Sequence, residues 1–442
     1  MANTRAPDAI ADFAKRLREP AWVTDARRRS LERHAALPWP HPSDEFWRRT
    51  DLALLDPARA GFAPVSNGDL DRRIPIDEAC MKSLIEPLGG ERLIVRAGGD
   101  WVRPPSGKDL IFEEFTGAAA ARPEELRAVI APDGMTEAEE KLCSLNGAFH
   151  RDGLLLSVPA GTAVAQPVRL VHLVTASARQ AVYPLTVISV GAGSALTLID
   201  EYVGIDLSGS AEPHLVNSRI ELRLAEGANV QYVRLQRWHR RAREFSFQRA
   251  TLGTGATLSS ANLYLGAKIS KTHVVTRLSG AHSSARLYGF VFGQGGQHVD
   301  QHTLQDHQAP HTSSDLLVKA ALQDDSRMVY TGLIRIANQA VQTSAYQSNH
   351  NLLLSSRARA ETIPMLEILA DDVQCKHGAS AGPINEDELF YLRTRGIPRA
   401  AAERLIVMGF VEQVIQQVPF APLQERLREE IEGGLHQASG HA

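Results

Sequence analysis

The apolar positions change period along the chain, and the change divides it into three regions. Near the start, Ile10, Phe13, Ala14 and Leu17 recur at helical spacing among Asp12, Lys15 and Arg16, which predicts an amphipathic helix needing a docking surface. Trp22 and Arg27 to Arg33 continue the helical region, with Arg27-Arg28-Arg29 expected on a solvated face. Pro38, Pro40 and Pro42 impose an extended linker, and Ser43 is placed to cap a helix over Asp44 to Arg49. Turns and short apolar runs follow from Gly61 to about Pro105, and 123–145 reads as helical again. Residues 1–144 therefore form an N-terminal helical, α+β region.

From Asn146 the period shortens. Runs such as Leu154 to Val158, Val168 to Val171 and Leu185 to Val190 are strands separated by Gly, Asn and Ser. A Gly-Ala pair recurs at Gly191, Gly227, Gly255 and Gly280, each time close to another apolar run. Such loose repetition, without long helices between the strands, points to a β-solenoid whose corners want small residues; a β-sandwich is the competing architecture. The β-core spans 145–375. A helical domain over 376–442 closes the chain. Asn385 caps a first helix ending at Gly396, Pro398 opens a second with the stripe Val407, Val411, Val414 and Val418, and Leu423, Leu427 and Ile431 mark a third, stopping at Gly433-Gly434.

Composition narrows the function. The chain has 442 residues and a net charge of −3 from 48 basic and 51 acidic side chains, with no imbalance to suggest a nucleic acid or an anionic membrane as the main partner. Cys80, Cys143 and Cys375 form no CxxC, so neither a disulfide framework nor a zinc finger is encoded, and a cytoplasmic protein fits. The first 29 residues hold no apolar stretch of signal-peptide length, and no stretch is long and apolar enough to span a bilayer. No GxxxxGK[ST] phosphate loop occurs.

The best candidate chemistry lies in 371–378, where strand-like sequence gives way to the tail. In an extended backbone Asp371, Val373, Cys375 and His377 share one face. The Cα atoms of Cys375 and His377 would then stand roughly 6.5–7 Å apart, near enough to meet one metal ion if the backbone bends. The plain alternative is a buried Cys beside a hydrogen-bonded His. A second set, His298, His302, His307 and His311, sits in strand-rich sequence before the helix-breaking Pro310, which favours structural histidines over a metal site. The basic run Arg234 to Arg243 reads as a solvated turn. Asp300, Asp306, Asp324 and Asp325 are the acids from which a polysaccharide lyase or hydrolase, the rival function for a β-solenoid, would be assembled.

The chain also resembles a known family. Leu145-Asn146 with Phe149 to Gly153, Gly191-Ala192-Gly193 through Gly204, Gln347 to Leu354, Ile363 to Ala379 and Leu389 to Ile397 follow, in order, the pattern of the SufB/SufD family of the SUF iron–sulfur cluster assembly system. SufB-like chains tend to read Glu-His-Glu-Ala-Thr where this one has Lys376 to Ser380, and they carry a Cys near the place of Ala358 to Glu361, so the resemblance is to the SufD branch. Ile363 and Ser380 depart from the Lys and Thr of many relatives.

The resemblance implies a right-handed parallel β-helix flanked by N- and C-terminal helical regions, acting as a scaffold and not an enzyme. It implies pairing with SufB through the β-helix and with the ATPase SufC through the C-terminal helices, for which Phe390, Tyr391, Arg393, Arg395 and Met408 are the docking candidates. It implies a transient iron–sulfur cluster or iron shared with SufB. His377 would be iron ligand or proton acceptor, Cys375 the second candidate, and Asp371 or Asp372 the group orienting His377. Homodimerisation in isolation and association of a reduced flavin with the complex stay open.

Overall fold

The computed structural model describes residues 6–64, 85–97, 100–130, 135–151, 153–176, 179–206 and 213–439. Cys80 and most of the stretch before Ile85 lie outside them.

From Leu154 to Pro383 the chain passes back and forth between two sheets, and from His214–Leu224 onward each strand lies parallel to the one two places before it. The result is a β-solenoid of about eight turns. This parallel ladder replaces the sandwich alternative. Side chains of one parity point inward and stack in register along the axis. One such column runs Leu198, Tyr232, Ser260, Leu287, Leu316 and Gln347, every member buried.

The corners explain the recurring glycines. Gly193, Gly227 and Gly255 turn one edge with φ of 63–64°, a left-handed conformation that costs glycine little. Each corner N–H donates to a carbonyl of the next coil, as from Gly227 to Thr254 at 2.8 Å and from Gly255 to Ala281 at 2.9 Å. The ladder continues through His282, His311 and Gln342 in the same conformation. Gly191 and Gly280 serve close approach instead: a Cβ there would come within 2.5 and 2.0 Å of backbone nitrogens of the preceding coil.

The two ends of the solenoid differ. At the first end, Asp100–Arg103 and Ile111–Glu114 pair antiparallel on the outermost coil strands and cover their edges. At the last end, among the described residues, Arg359–Ile368 and Val373–Pro383 have no strand on their outer side. The solenoid is therefore longer than 145–375 at both limits: Arg92–Ala97 already pairs parallel with Val168–Ala176, and the final strand extends eight residues past 375. Among the described residues no coil stacks beyond the terminal strand, and none of its side chains is fully buried.

The helices pack on the outer faces. Glu137–Phe149 carries the capping box Thr136/Glu139 and lays Leu142, Leu145 and Phe149 into a cluster with Leu215, Phe245 and Phe247 of the first sheet. The helix Arg399–Ile415 sets Val407, Val411 and Val414 against Leu263, Phe290 and Ala321 of the second. The last helix runs Ala421–Ser439, beyond the expected stop at Gly433-Gly434. Gly434 is there for contact, since a Cβ would lie 2.4 Å from the Phe292 ring.

Three local expectations change. Residues 44–49 form turns, not a helix, because Trp47 is anchored in a tertiary cluster. Arg27 is buried and hydrogen-bonded to Glu19 and the Ala148 carbonyl, not solvated. In the basic run, Arg234 is buried on Glu244, Trp238 is buried, and Arg237 bridges Glu201 and Glu430. No helix among the described residues is long and apolar enough to cross a membrane.

Candidate functional site at the open end of the solenoid

Cys375 and His377 lie on the terminal strand Val373–Pro383 at consecutive inward positions, Cys375 paired with Ala345 and His377 with Gln347. They are thus the last members of interior columns that are buried throughout the molecule. At the open end the column is no longer covered. His377 is exposed, and it forms no hydrogen bond or ion pair with any described residue. Cys375 is half-buried against Ala345, Ala370 and Ile334, and burial pushes its thiol up from the ordinary value. A protonated thiol is the weaker metal ligand and the slower nucleophile, so of the pair the imidazole is the group free to act.

Asp371 and Asp372 do not reach it. Both are exposed in the bend before the strand, where the Asp372 carbonyl accepts from Gln342 N in the corner ladder, and His377 stands five positions beyond Asp372 along extended chain, roughly 16 Å away. The extended backbone that aligns Cys375 with His377 carries the carboxylates away.

Beside these residues lie apolar side chains that residue-type arguments passed over. Leu366 and Ile368 occupy the inward row of the facing edge strand yet are 38% and 40% exposed, and Leu369 is 57% exposed. Their parity in the strand was the available signal. The open end therefore combines two free strand edges, an exposed apolar rim and a free imidazole.

The histidine set does not converge. His298 and His302 share the outward face of one strand with Asp300, but the cation among them is the Lys271 ammonium, 2.7 Å from Asp300, 3.1 Å from His302 Nε2 and donating to the Phe46 carbonyl at 2.8 Å. Thr50 donates to Asp300 at 2.5 Å, and Trp47 stacks on His273, which stacks on His302. Burial and the neighbouring ammonium pull His302 down to about 3. This is a neutral, closed cluster fastening the N-terminal segment to the solenoid. His307 is bonded to Thr312 and Ser314, and His311 stacks on His282 at a corner. Among the described residues no group of three or more His, Cys, Asp or Glu side chains is arranged to hold a metal ion.

The acids of the rival hydrolase reading are likewise dispersed. Asp300 is bound to Lys271, Asp306 to Arg335 and Asp325 to Arg357, while Asp324 accepts from Gly295 N. Asp300 and Asp306 stand about 20 Å apart along one strand.

Of the candidate docking residues, Phe390 and Tyr391 are exposed, and Arg395 lies over the Tyr391 ring at 5.1 Å. Arg393 is exposed as well. Met408 instead packs into the cluster beneath its own helix, and Leu405, one turn away, is the exposed apolar residue there.

The family model described as "SUF system FeS cluster assembly, SufBD core domain" matches residues 172–410, more than half of the chain. The chain belongs to the SufBD family. It is similar to the SufBD family protein slr0076 of Synechocystis, at 26% identity over 93% of this chain and 91% of that one. Against the iron–sulfur cluster assembly protein SufD of Escherichia coli it is 29% identical over 62% of this chain and 63% of that protein. Against SufD of Bacillus subtilis the identity is 25% over 96% of both. This SufBD-family protein is SufD-like, and the matched region includes the whole open end.

Proposed function

We propose that this SufBD-family chain is a non-enzymatic scaffold subunit that pairs with SufB through the open end of its solenoid, and that His377 works at the resulting interface. The observation that carries the reading is the exposed, unpartnered His377 on a strand whose outer edge is free and whose rim is apolar. Free strand edges recruit another strand, and Leu366, Ile368 and Leu369 supply area to bury when one arrives. Iron or a nascent cluster is the cargo. Neutral imidazole is a borderline ligand suited to iron, or a base for a proton released when a partner thiol binds metal. Cys375 would join only if its thiol lost its proton there.

The C-terminal helices would bind SufC. Phe390, Tyr391 and Leu405 are exposed, Arg395 lies over the Tyr391 ring and Arg393 is exposed on the same helix, the composition of an interface anchor. The helix Arg399–Ile415 is fastened to the second sheet, and Arg426 and Arg237 tie the last helix to the solenoid through Glu201 and Glu430, so movement of the docked ATPase would be passed to the β-core.

Co-expression of this chain with SufB and SufC tests the reading. His377→Ala is expected to leave the complex intact and to lower its iron and acid-labile sulfide content. Normal cluster content in an intact mutant complex would remove His377 from the chemistry, and failure of the wild-type chains to associate would remove the scaffold assignment.

A further inference from the structure

On the side of the molecule formed by the N-terminal helices, a cavity of about 620 Å³ opens between Ala21–Ala36, Pro123–Ile130 and Glu137–Phe149, with Arg219 contributed by the solenoid strand His214–Leu224. That is the size of a small-molecule site. Trp22, Ala26, Arg29 and Arg33 recur at spacings of four, three and four, which places them on one face of their helix, and all four line the cavity.

The charges lining it do not balance. Four guanidinium groups, on Arg29, Arg33, Arg127 and Arg219, face two carboxylates, on Asp25 and Glu140. Glu140 is committed to Arg33 through two hydrogen bonds of 2.7 and 2.8 Å. Arg219 is held by Glu221 at 2.8 Å and by the Val129 carbonyl. Asp25 lies 3.4 Å from Arg28. Arg29, by contrast, forms no ion pair with any described residue, and Arg127 is 3.9 Å from the exposed Glu124 while its guanidinium lies over the Trp22 ring at 5.1 Å. Two cations are thus available beside an aromatic ring, in a cavity with largely apolar walls.

From this geometry we infer that the cavity binds a planar aromatic anion, its rings against Trp22 and the apolar wall and its negative charge between Arg29 and Arg127. A simple inorganic anion would leave the apolar walls uncovered, and a neutral aromatic would forgo charge-assisted contacts with the two guanidiniums, which are exposed at the cavity. The site is remote from the open end and is independent of the scaffold reading.

The test is a fluorescence titration of the full-length chain with 1-anilinonaphthalene-8-sulfonate, an aromatic monoanion that brightens in apolar surroundings. One saturable site is expected. Arg29→Glu and Arg127→Glu should each weaken it by roughly tenfold or more, the loss of one charge-assisted contact, with unchanged circular dichroism. Ala26→Trp, which fills the cavity without altering its charge, should abolish it. Leu366→Glu with Ile368→Glu, at the open end, should leave it in place. Equal binding by the two arginine variants and by Ala26→Trp would place the dye on exposed apolar surface elsewhere and overturn the proposal, as would the absence of a saturable site. Binding of uncharged N-phenyl-1-naphthylamine as tight as that of the sulfonate would overturn the assignment of an anion.

Discussion

The buried Lys271–Asp300 pair shows how a single residue decides a region's behaviour. Both side chains are completely removed from solvent, and each is the other's main compensation. Lys271→Met would leave the Asp300 carboxylate with its hydrogen bond from Thr50 and a neutral histidine. A loss of about 3–5 kcal/mol in urea denaturation is expected, because an uncompensated buried charge costs far more than an exposed pair contributes. Two buried histidines, one in this cluster and one beyond it, set an acid limit. His302 titrates at about 3 in the folded chain, lowered first by burial and then by Lys271, and burial holds His307 at about 4. In the unfolded chain both imidazoles take a proton near pH 6.5. The unfolded state therefore binds more protons below that pH, so this contribution to stability is complete above about 6.5 and is lost as pH falls toward 3. Unfolding free energies from urea denaturation should be level down to about pH 6.5 and then fall toward pH 4, by up to roughly 1.4 kcal/mol per pH unit for each such histidine. His302→Gln should flatten that slope.

At the scale of the element, the corner ladder separates glycines that the sequence pattern ran together. Gly255 has φ +64 and open space around its missing Cβ, so Gly255→Ala meets only backbone strain, about 1–2 kcal/mol. Gly280→Ala would drive a methyl into the Thr254 backbone and should cost more than that. His282→Gly, at a corner where a non-glycine residue already bears positive φ, is expected to be neutral or stabilising, and thermal melts of the three variants would rank them. The solenoid was legible through its early coils because Gly227 and Gly255 mark their corners. It faded where His282, His311 and Gln342 occupy the same geometry. The common inward face of Cys375 and His377 was legible because it follows from strand parity alone. The closed cluster was not: Lys271 meets Asp300 across 29 residues and His273 meets Glu139 across 134, distances over which no local spacing carries information. Parity also misled at Asp371, since a shared face along a strand does not bring residues within reach of one another, and Asp372 lies on the opposite parity altogether.

Taken whole, the described residues form a cylinder with one closed end and one open end, and the proposed interface lies where closure is missing. Antiparallel strands finish the first coil, whereas among the described residues the last coil has both edges unpaired and turns Leu366, Ile368 and Leu369 partly to solvent. An exposed apolar edge of this kind promotes association unless something is built to cover it. If that cover is the partner chain, charges placed on the rim should separate folding from assembly. Leu366→Glu with Ile368→Glu removes side chains that are already partly hydrated, so the isolated chain should lose no more than roughly 2 kcal/mol of stability. Burying the same two carboxylates beneath a partner strand, with no cation opposite them among the described residues, would cost several kcal/mol per charge. Size-exclusion chromatography of the co-expressed chains should therefore show the double variant folded but eluting free of SufB, while the SufC binding proposed at the exposed Phe390 and Tyr391 should be unaffected. A double variant that still co-elutes with SufB would move the interface away from the open end, and His377 would then lose its place at a junction between subunits.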